Sequence, residues 1–215
     1  MSARPSSPPA GPDLKYRLVR GTVRLLLRTV WRLRVEGLDR LPPPPYVVAA
    51  NHSSEVDPLV LGAALPGRLV FLVSRHLERF PLLFRFIRGF DPVLVRRGLA
   101  DVSGIRAAIA RLVSGEIVVI YPEGRVVQDA ALGPLHDGLG FIALRAGVPV
   151  APVAISGADR MWPLGAHRPR LSRLVVRVGP PIAARGGDDA RTLTSRVREA
   201  LLDLLGERAP RAQSV

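Results

Sequence analysis

Several short runs in this chain are apolar at nearly every position, and segments with helical patterning stand between them. The clearest are Tyr46–Ala50 (YVVAA), Leu69–Ser74 (LVFLVS), Glu116–Tyr121 (EIVVIY) and Val148–Ser156 (VPVAPVAIS). A strand with one wet face alternates apolar and polar residues. A run with no polar face must be covered on both sides. The chain is therefore expected to form a sheet sandwiched between helices, which is an α/β domain.

The intervening segments fit that plan. Pro58–Leu65, His76–Arg88, Asp101–Ser114, Gly138–Ala146 and Asp189–Gly206 read as helices, the third with Ile105, Ala108, Ile109 and Leu112 as its apolar stripe. Pro92–Val95 and Leu174–Val178 read as further strands. A length of 215 residues suits one domain. The expected architecture is a single domain with a central, mostly parallel or mixed sheet covered by helices, plus an N-terminal amphipathic helix. Its parts are a flexible tail over 1–12, the helix over 13–33, the main domain over 34–206 and a polar tail over 207–215.

The 13–33 segment has two patterns. Val19, Val23, Leu26, Val30 and Leu33 recur at helical spacing, widened by Leu27 and Trp31, while Arg17, Arg20, Arg24, Arg28 and Arg32 recur on another face. Such a helix suits the headgroup region of an anionic bilayer, and equally a surface helix with a solvated arginine face. The charge of the whole chain points the same way. Thirty-one Lys and Arg stand against 18 Asp and Glu, a net +13 that favours an anionic partner. Lys15 is the only lysine, so base composition of the genome contributes to that ratio too.

Other classes are excluded. With no cysteine, the chain has no disulfide framework, cysteine zinc site or cysteine nucleophile. Four histidines make a His-rich metal site unexpected, and none is assigned. No G-x-S-x-G elbow or phosphate-binding P-loop occurs. Aromatic residues make up 5%, too few for base-stacking platforms, so no nucleic-acid partner is expected. No apolar stretch is long enough to span a membrane, and residues 1–12 lack the apolar core of a secretory leader. The expectation is an intracellular protein that can lie on a membrane.

Polar residues capable of chemistry cluster where strands end, which is where α/β sheets carry their sites. Asn51-His52 follows YVVAA, with Asp57 five positions beyond His52. A carboxylate can fix the tautomer of an imidazole and stabilise the imidazolium that forms. Five residues turn about 140° around a helix, so the chain must bend between the two. Pro58 gives a reason, since the residue before proline avoids the helical region. Asp57 equally suits a helix N-cap with Pro58 at the first helical position. Arg96-Arg97-Gly98 follows the strand ending at Val95, and paired arginines can grip a phosphate. Tyr121-Pro122-Glu123-Gly124-Arg125 closes the next strand, where glycine lets backbone N–H groups face an anion. Val150–Ile155 carries no reactive group and reads as packing.

In this order, the four groups resemble the glycerolipid acyltransferase family, which contains the 1-acylglycerol-3-phosphate acyltransferases. The family's N-H-x-x-x-x-D is met by Asn51, His52 and Asp57. Its arginine after a strand is met by Val95-Arg96-Arg97, with Arg96 where an acid is usual. Its F-P-E-G-T-R-S is met by Tyr121–Val127, with Arg125 in place of Thr and Val126-Val127 in place of Arg-Ser. Its V-P-V-x-P-V strand is met by Val148–Val153, and Val178–Ile182 resembles its G-x-P-I ending. The resemblance covers about residues 32–182.

It implies that 34–206 is an acyltransferase domain with His52 and Asp57 as catalytic residues. His52 would take the proton from a lysolipid hydroxyl as that hydroxyl attacks the thioester of acyl-CoA or acyl carrier protein, Asp57 would orient His52, and phosphatidic acid would form from 1-acylglycerol 3-phosphate. The implied substrate-binding set is Asn51, Arg96, Arg97, Glu123, Gly124 and Arg125, the arginines serving the acceptor phosphate. No metal or cofactor is implied beyond the acyl donor. The departures at Arg96 and Arg125–Val127 leave a head-group-bearing lysophospholipid, a glycolipid or an aminolipid open as acceptor. A non-catalytic lipid-binding module is the alternative of another class. The implied location is peripheral, on the cytoplasmic face of the plasma membrane.

Overall fold

The computed structural model describes residues 14–74, 93–95, 102–127 and 132–206. The expected tails at 1–12 and 207–215 and the expected helix over His76–Arg88, with Leu82, Leu83, Phe86 and Ile87, lie outside the described residues.

Among the described residues, the chain runs α1 (Leu14–Val30), β1 (Arg34–Glu36), β2 (Tyr46–Ala50), α2 (Asp57–Ala64), β3 (Leu69–Ser74), β4 (Val93–Val95), α3 (Val102–Val113), β5 (Ile117–Ile120), α4 (Gly138–Ala146), β6 (Val150–Ser156), α5 (Ala158–Met161), β7 (Val175–Val178) and α6 (Ala190–Leu205). Seven strands form one sheet in the order β1-β7-β6-β2-β5-β3-β4. β6, β2, β5, β3 and β4 are mutually parallel. β7 runs antiparallel to β6, and β1 runs parallel to β7. The sheet is therefore mixed, as expected.

The apolar runs are buried on both faces. Val48 and Ala50 of β2 point into one core with Leu27, Leu61, Leu65 and Phe71, beneath α1 and α2. Val47 and Ala49 point into a second core with Ala108, Leu112, Ile142, Leu193 and Val197, beneath α3, α4 and α6. Burying one such side chain fully contributes about 1.5–3 kcal/mol, so a strand inserted twice over is held in register. Gly140 lets α4 reach α6: a Cβ there would sit 2.0 Å from the carbonyl oxygen of Ala190.

Three short elements escaped the sequence pattern: the edge strand β1, a single 3-10 turn over Leu38–Arg40 and the one-turn helix α5. The N-terminal helix forms, but its faces are redistributed. Val23, Leu27, Trp31 and Leu33 pack inward, while Val19, Leu26 and Val30, expected on the same apolar face, are exposed together with Leu18 and Leu25. Arg20 turns inward and donates from Nη2 to the carbonyl of Leu65 at the end of α2. Arg24, partly buried between Arg20 and Arg28, has its pKa lowered, first by burial and then by those two charges. The reason is steric. The groove above α2 accepts the Val23–Leu27 ridge, and a long arginine stem can lie along it with its head at the rim.

Candidate active site

The carboxyl ends of β2, β5 and β6 lie side by side, and the loop leaving β2 carries the reactive pair. β2 delivers Asn51 and His52 at the sheet edge. The chain then turns through Ser53–Val56 and enters α2 at Asp57, with Pro58 in the first turn. The bend brings the two side chains together, and His52 Nδ1 lies 2.9 Å from Asp57 Oδ2. The Asp57 carboxylate does not cap its own helix. Oδ2 also accepts from the backbone N–H groups of Ser53 at 2.7 Å and Ser54 at 2.8 Å, so it ties the preceding loop around itself.

Asp57 is fully buried, whereas His52 keeps 18% of its side chain exposed. Burial pushes the Asp57 carboxyl up; the hydrogen bond and charge of His52 and the N–H groups of Ser53 and Ser54 pull against it. A carboxylate can only accept, so His52 Nδ1 carries the proton of that bond. Nε2 is then the imidazole nitrogen with a free lone pair. The arrangement suits a general base.

Tyr121, at the end of β5, stacks on this imidazole with ring centroids 4.1 Å apart and an interplanar angle of 18°. Its hydroxyl is buried without a hydrogen-bond partner, as are Asp57 Oδ1 and Ser53 Oγ. Burial, and secondarily the Asp57 charge, push the Tyr121 phenol well above its ordinary range. The sequence marks this residue only as an aromatic where phenylalanine is usual.

Glu123 is buried, and its carboxylate is engaged on both sides. Oε1 accepts from the backbone N–H of His52 at 2.9 Å, and Oε2 accepts from that of Gly133 at 3.0 Å. A second tie joins the same loops, from Val127 N–H to the His52 carbonyl at 2.8 Å. Asn51 is committed too. Its Nδ2 donates to the Ile155 carbonyl at 3.0 Å and its Oδ1 accepts from the Ile155 N–H at 2.7 Å, fastening β2 to β6. Both residues thus spend their side chains on backbone groups that hold His52 in place.

Of the remaining expected residues, Gly124 and Arg125 are exposed at the turn after β5. Gly124 has φ +68°, and a Cβ there would meet the His136 ring at 3.2 Å, so the turn needs glycine. Arg96 and Arg97 lie outside the described residues. A small cleft opens beside the pair, with His52, Glu123, Val127 and Leu132 in its wall.

Comparisons with known proteins agree with one another. The acyltransferase family model matches residues 32–156. The 1-acyl-sn-glycerol-3-phosphate acyltransferase alpha of Bos taurus is 30% identical over 187 residues, covering 82% of this chain and 63% of that protein. The Homo sapiens protein of the same name is 29% identical over 187 residues, with 82% and 64% covered. The chain thus spans a little under two thirds of these relatives. The lyso-ornithine lipid O-acyltransferase of Pseudomonas aeruginosa is 32% identical over 215 residues, covering 92% of this chain and 82% of that one. Among solved structures, the 1-acyl-sn-glycerophosphate (LPA) acyltransferase PlsC of Thermotoga maritima superimposes with a TM-score of 0.75 at 22% identity, covering 93% of this chain and 83% of that one. That likeness concerns the fold.

Proposed function

The chain belongs to the acyltransferase family, and from that premise we propose that it transfers a fatty acyl group from acyl-CoA or acyl carrier protein to the free hydroxyl of 1-acylglycerol 3-phosphate, giving phosphatidic acid. One observation carries the proposal: a partly exposed imidazole whose Nδ1 is held 2.9 Å from a fully buried carboxylate at the sheet edge.

In this mechanism Nε2 of His52 accepts the hydroxyl proton as the oxygen attacks the thioester carbonyl. Asp57 holds the tautomer and stabilises the imidazolium. The C–S bond breaks as the tetrahedral centre collapses, and the proton passes from His52 to the departing thiolate. No acyl-enzyme forms, and no metal or cofactor takes part beyond the acyl donor. Arg125, together with Arg96 and Arg97, is assigned to the acceptor's anionic end. Arginine forks suit phosphate oxygens.

A second acceptor is supported by a specific observation. The P. aeruginosa relative acting on a lyso-ornithine lipid matches 92% of this chain at 32% identity, and Arg125 stands where the phosphate-type pattern has Thr. An aminolipid acceptor is the alternative within the same chemistry.

Acceptor and product both live in a bilayer, so the site must work at its surface. No helix of the described residues is long and apolar enough to cross a membrane. α1 offers exposed Leu18, Val19, Leu25, Leu26 and Val30 flanked by Arg17 and Arg28, a surface suited to peripheral attachment to anionic lipid on the cytoplasmic face.

The test is transfer of radiolabelled acyl groups from acyl-CoA or acyl carrier protein to lysophosphatidic acid and to lyso-ornithine lipid. Wild type and His52→Ala are assayed side by side. The variant is expected to lose about 10²–10⁴-fold in rate, the usual worth of a general base. Wild-type turnover in the variant refutes the assignment. The acceptor that wild type acylates faster identifies the substrate class.

A further inference from the structure

A second surface stands at the same end of the sheet. β6 and β7 are antiparallel and pair Ser156 with Val175, so the chain between them loops over the edge at which β2 delivers His52. α1 reaches that edge as well, because β1 follows it and runs parallel to β7 with Arg34 opposite Val175.

The backbone of this 157–174 connection is pinned. Ser54, two residues past His52, donates from Oγ to the Trp162 carbonyl at 2.8 Å. Trp31, just past the end of α1, donates from Nε1 to the Arg170 carbonyl at 2.8 Å, and Leu174 N–H donates to the Trp31 carbonyl at 3.0 Å. At the base of the loop, a Cβ on Gly157 would sit 2.1 Å from the Arg173 carbonyl, so the two arms meet in contact.

Met161 and Leu174 turn into the core, and other side chains of the loop face outward. Leu164 is 57% exposed and Leu171 is 81% exposed. Arg160, His167, Arg168, Arg170 and Arg173 are exposed around them. No acidic residue occurs from Arg160 through Gly187. A rigidly held loop that presents two leucines among arginines, with Asp159 at its base as its one carboxylate, matches an interface that is apolar beneath and anionic on top.

We propose that the 157–174 loop is a second membrane-docking surface, which inserts Leu164 and Leu171 into an anionic leaflet and, with the end of α1, turns the His52 edge toward the bilayer. α1 alone would attach the protein along one line and leave it free to roll about that axis. A second contact fixed to Ser54 removes that freedom. The proposal rests on the interfacial reading above, and its test separates the two.

The experiment uses the full chain with vesicles of phosphatidylcholine alone or mixed with phosphatidylglycerol. Cosedimentation is compared for wild type, Leu164→Ser/Leu171→Ser, Arg168→Gln/Arg170→Gln and His52→Ala. All substituted loop side chains are exposed, and the loop is held by backbone hydrogen bonds and by the side chains of Ser54, Trp31 and Ser172, none of them substituted, so the fold should persist. The arginine variant is expected to lose roughly fivefold in affinity for the anionic vesicles per arginine removed, and with it part of the salt dependence. The leucine variant should bind both vesicle types more weakly, and His52→Ala should bind like wild type. Turnover of a short-chain lysolipid below its micellar concentration should be unchanged in both loop variants, while turnover on vesicles falls. Vesicle binding equal to wild type in both loop variants overturns the proposal. Equal loss of turnover on soluble and vesicular acceptor overturns it too, because the loop would then shape the site rather than dock it. If wild type acylates no lysolipid, the proposed reaction fails, and the sedimentation result still decides on the loop.

Discussion

The loops leaving β2 and β5 each place a buried carboxylate at the same sheet edge, and the two carboxylates work differently. Asp57 commits one oxygen to three donors, the His52 ring among them, and leaves Oδ1 without a partner. Glu123 spreads its bonds, one oxygen to the His52 backbone and the other to Gly133. The first sets the chemistry of the imidazole, and the second sets where the imidazole stands. The charge of Asp57 is needed for the reaction and is opposed by its burial. Glu123 is a clamp in which both acceptors are used.

Replacing each acid by its amide breaks this symmetry most clearly. In Asp57→Asn the amide oxygen can keep the place of Oδ2, and the NH2 falls where Oδ1 had no partner. The buried charge is gone. Because burial holds the folded Asp57 carboxyl above its ordinary value, ionising it costs stability as pH rises past the unfolded value. The neutral amide escapes that cost. Asp57→Asn is therefore expected to lower turnover by about 10²–10⁴-fold, while the relieved ionisation cost offsets that of the buried, unpartnered NH2 and the thermal midpoint at neutral pH changes little. A large fall in the midpoint with activity intact would reverse the roles assigned here.

Glu123→Gln should behave in the opposite sense. One of its two oxygens becomes an NH2 pointed at a backbone N–H, which leaves a buried donor unsatisfied and costs about 1–3 kcal/mol. His52 then has one of its two backbone ties weakened, that to Glu123 and not that from Val127, and a misplacement near 1 Å can cost about 10²-fold in rate. The expected pattern is a lower thermal midpoint and a lower kcat with little change in the acceptor KM. A raised acceptor KM at unchanged kcat would instead make Glu123 an acceptor contact, the role that the family resemblance implied.

That contrast also explains what could be read from the sequence. His52 and Asp57 were legible because both partners are side chains five residues apart in a recognisable pattern. The clamp was not, because the donors to Glu123 are backbone N–H groups, one of them 71 residues away. Asn51 hides in the same way, bonded to backbone 104 residues distant. The strands buried on both faces were legible from their unbroken apolar runs. β1 was missed because Arg34-Val35-Glu36 is a short edge strand with exposed, charged ends. The inward face of α1 depended on which ridge fits above α2, and periodicity does not contain that.

Tyr121 should give a smaller effect that separates ring from hydroxyl. Tyr121→Phe keeps the stack on His52 and removes a buried, unpartnered O–H, so turnover should stay within a few-fold of wild type. Tyr121→Leu removes the stacked face. A flat π-face favours the imidazolium, and such contacts are worth about 0.5–2 kcal/mol. The imidazolium forms only as the hydroxyl proton is taken, so loss of that face should lower kcat in Leu relative to Phe by about 2–30-fold. Equal turnover in the two variants would reduce Tyr121 to space filling.

The smallest effect belongs to a third carboxylate that also accepts from backbone but lies in solvent. Asp189 caps α6 by accepting from Thr192 N–H at 2.7 Å. That bond holds its pKa below the ordinary value, the reverse of the buried Asp57. A depressed folded pKa means that the stabilisation is present above the unfolded value and is lost as pH falls through the folded one. Asp189→Ala should therefore leave turnover untouched and lower the thermal midpoint modestly at neutral pH. The gap from wild type should close as the medium is made strongly acidic. If the gap were independent of pH, the cap would act through helix geometry and not through charge. Burial would then not be what makes carboxylates bonded to similar donors titrate in opposite directions.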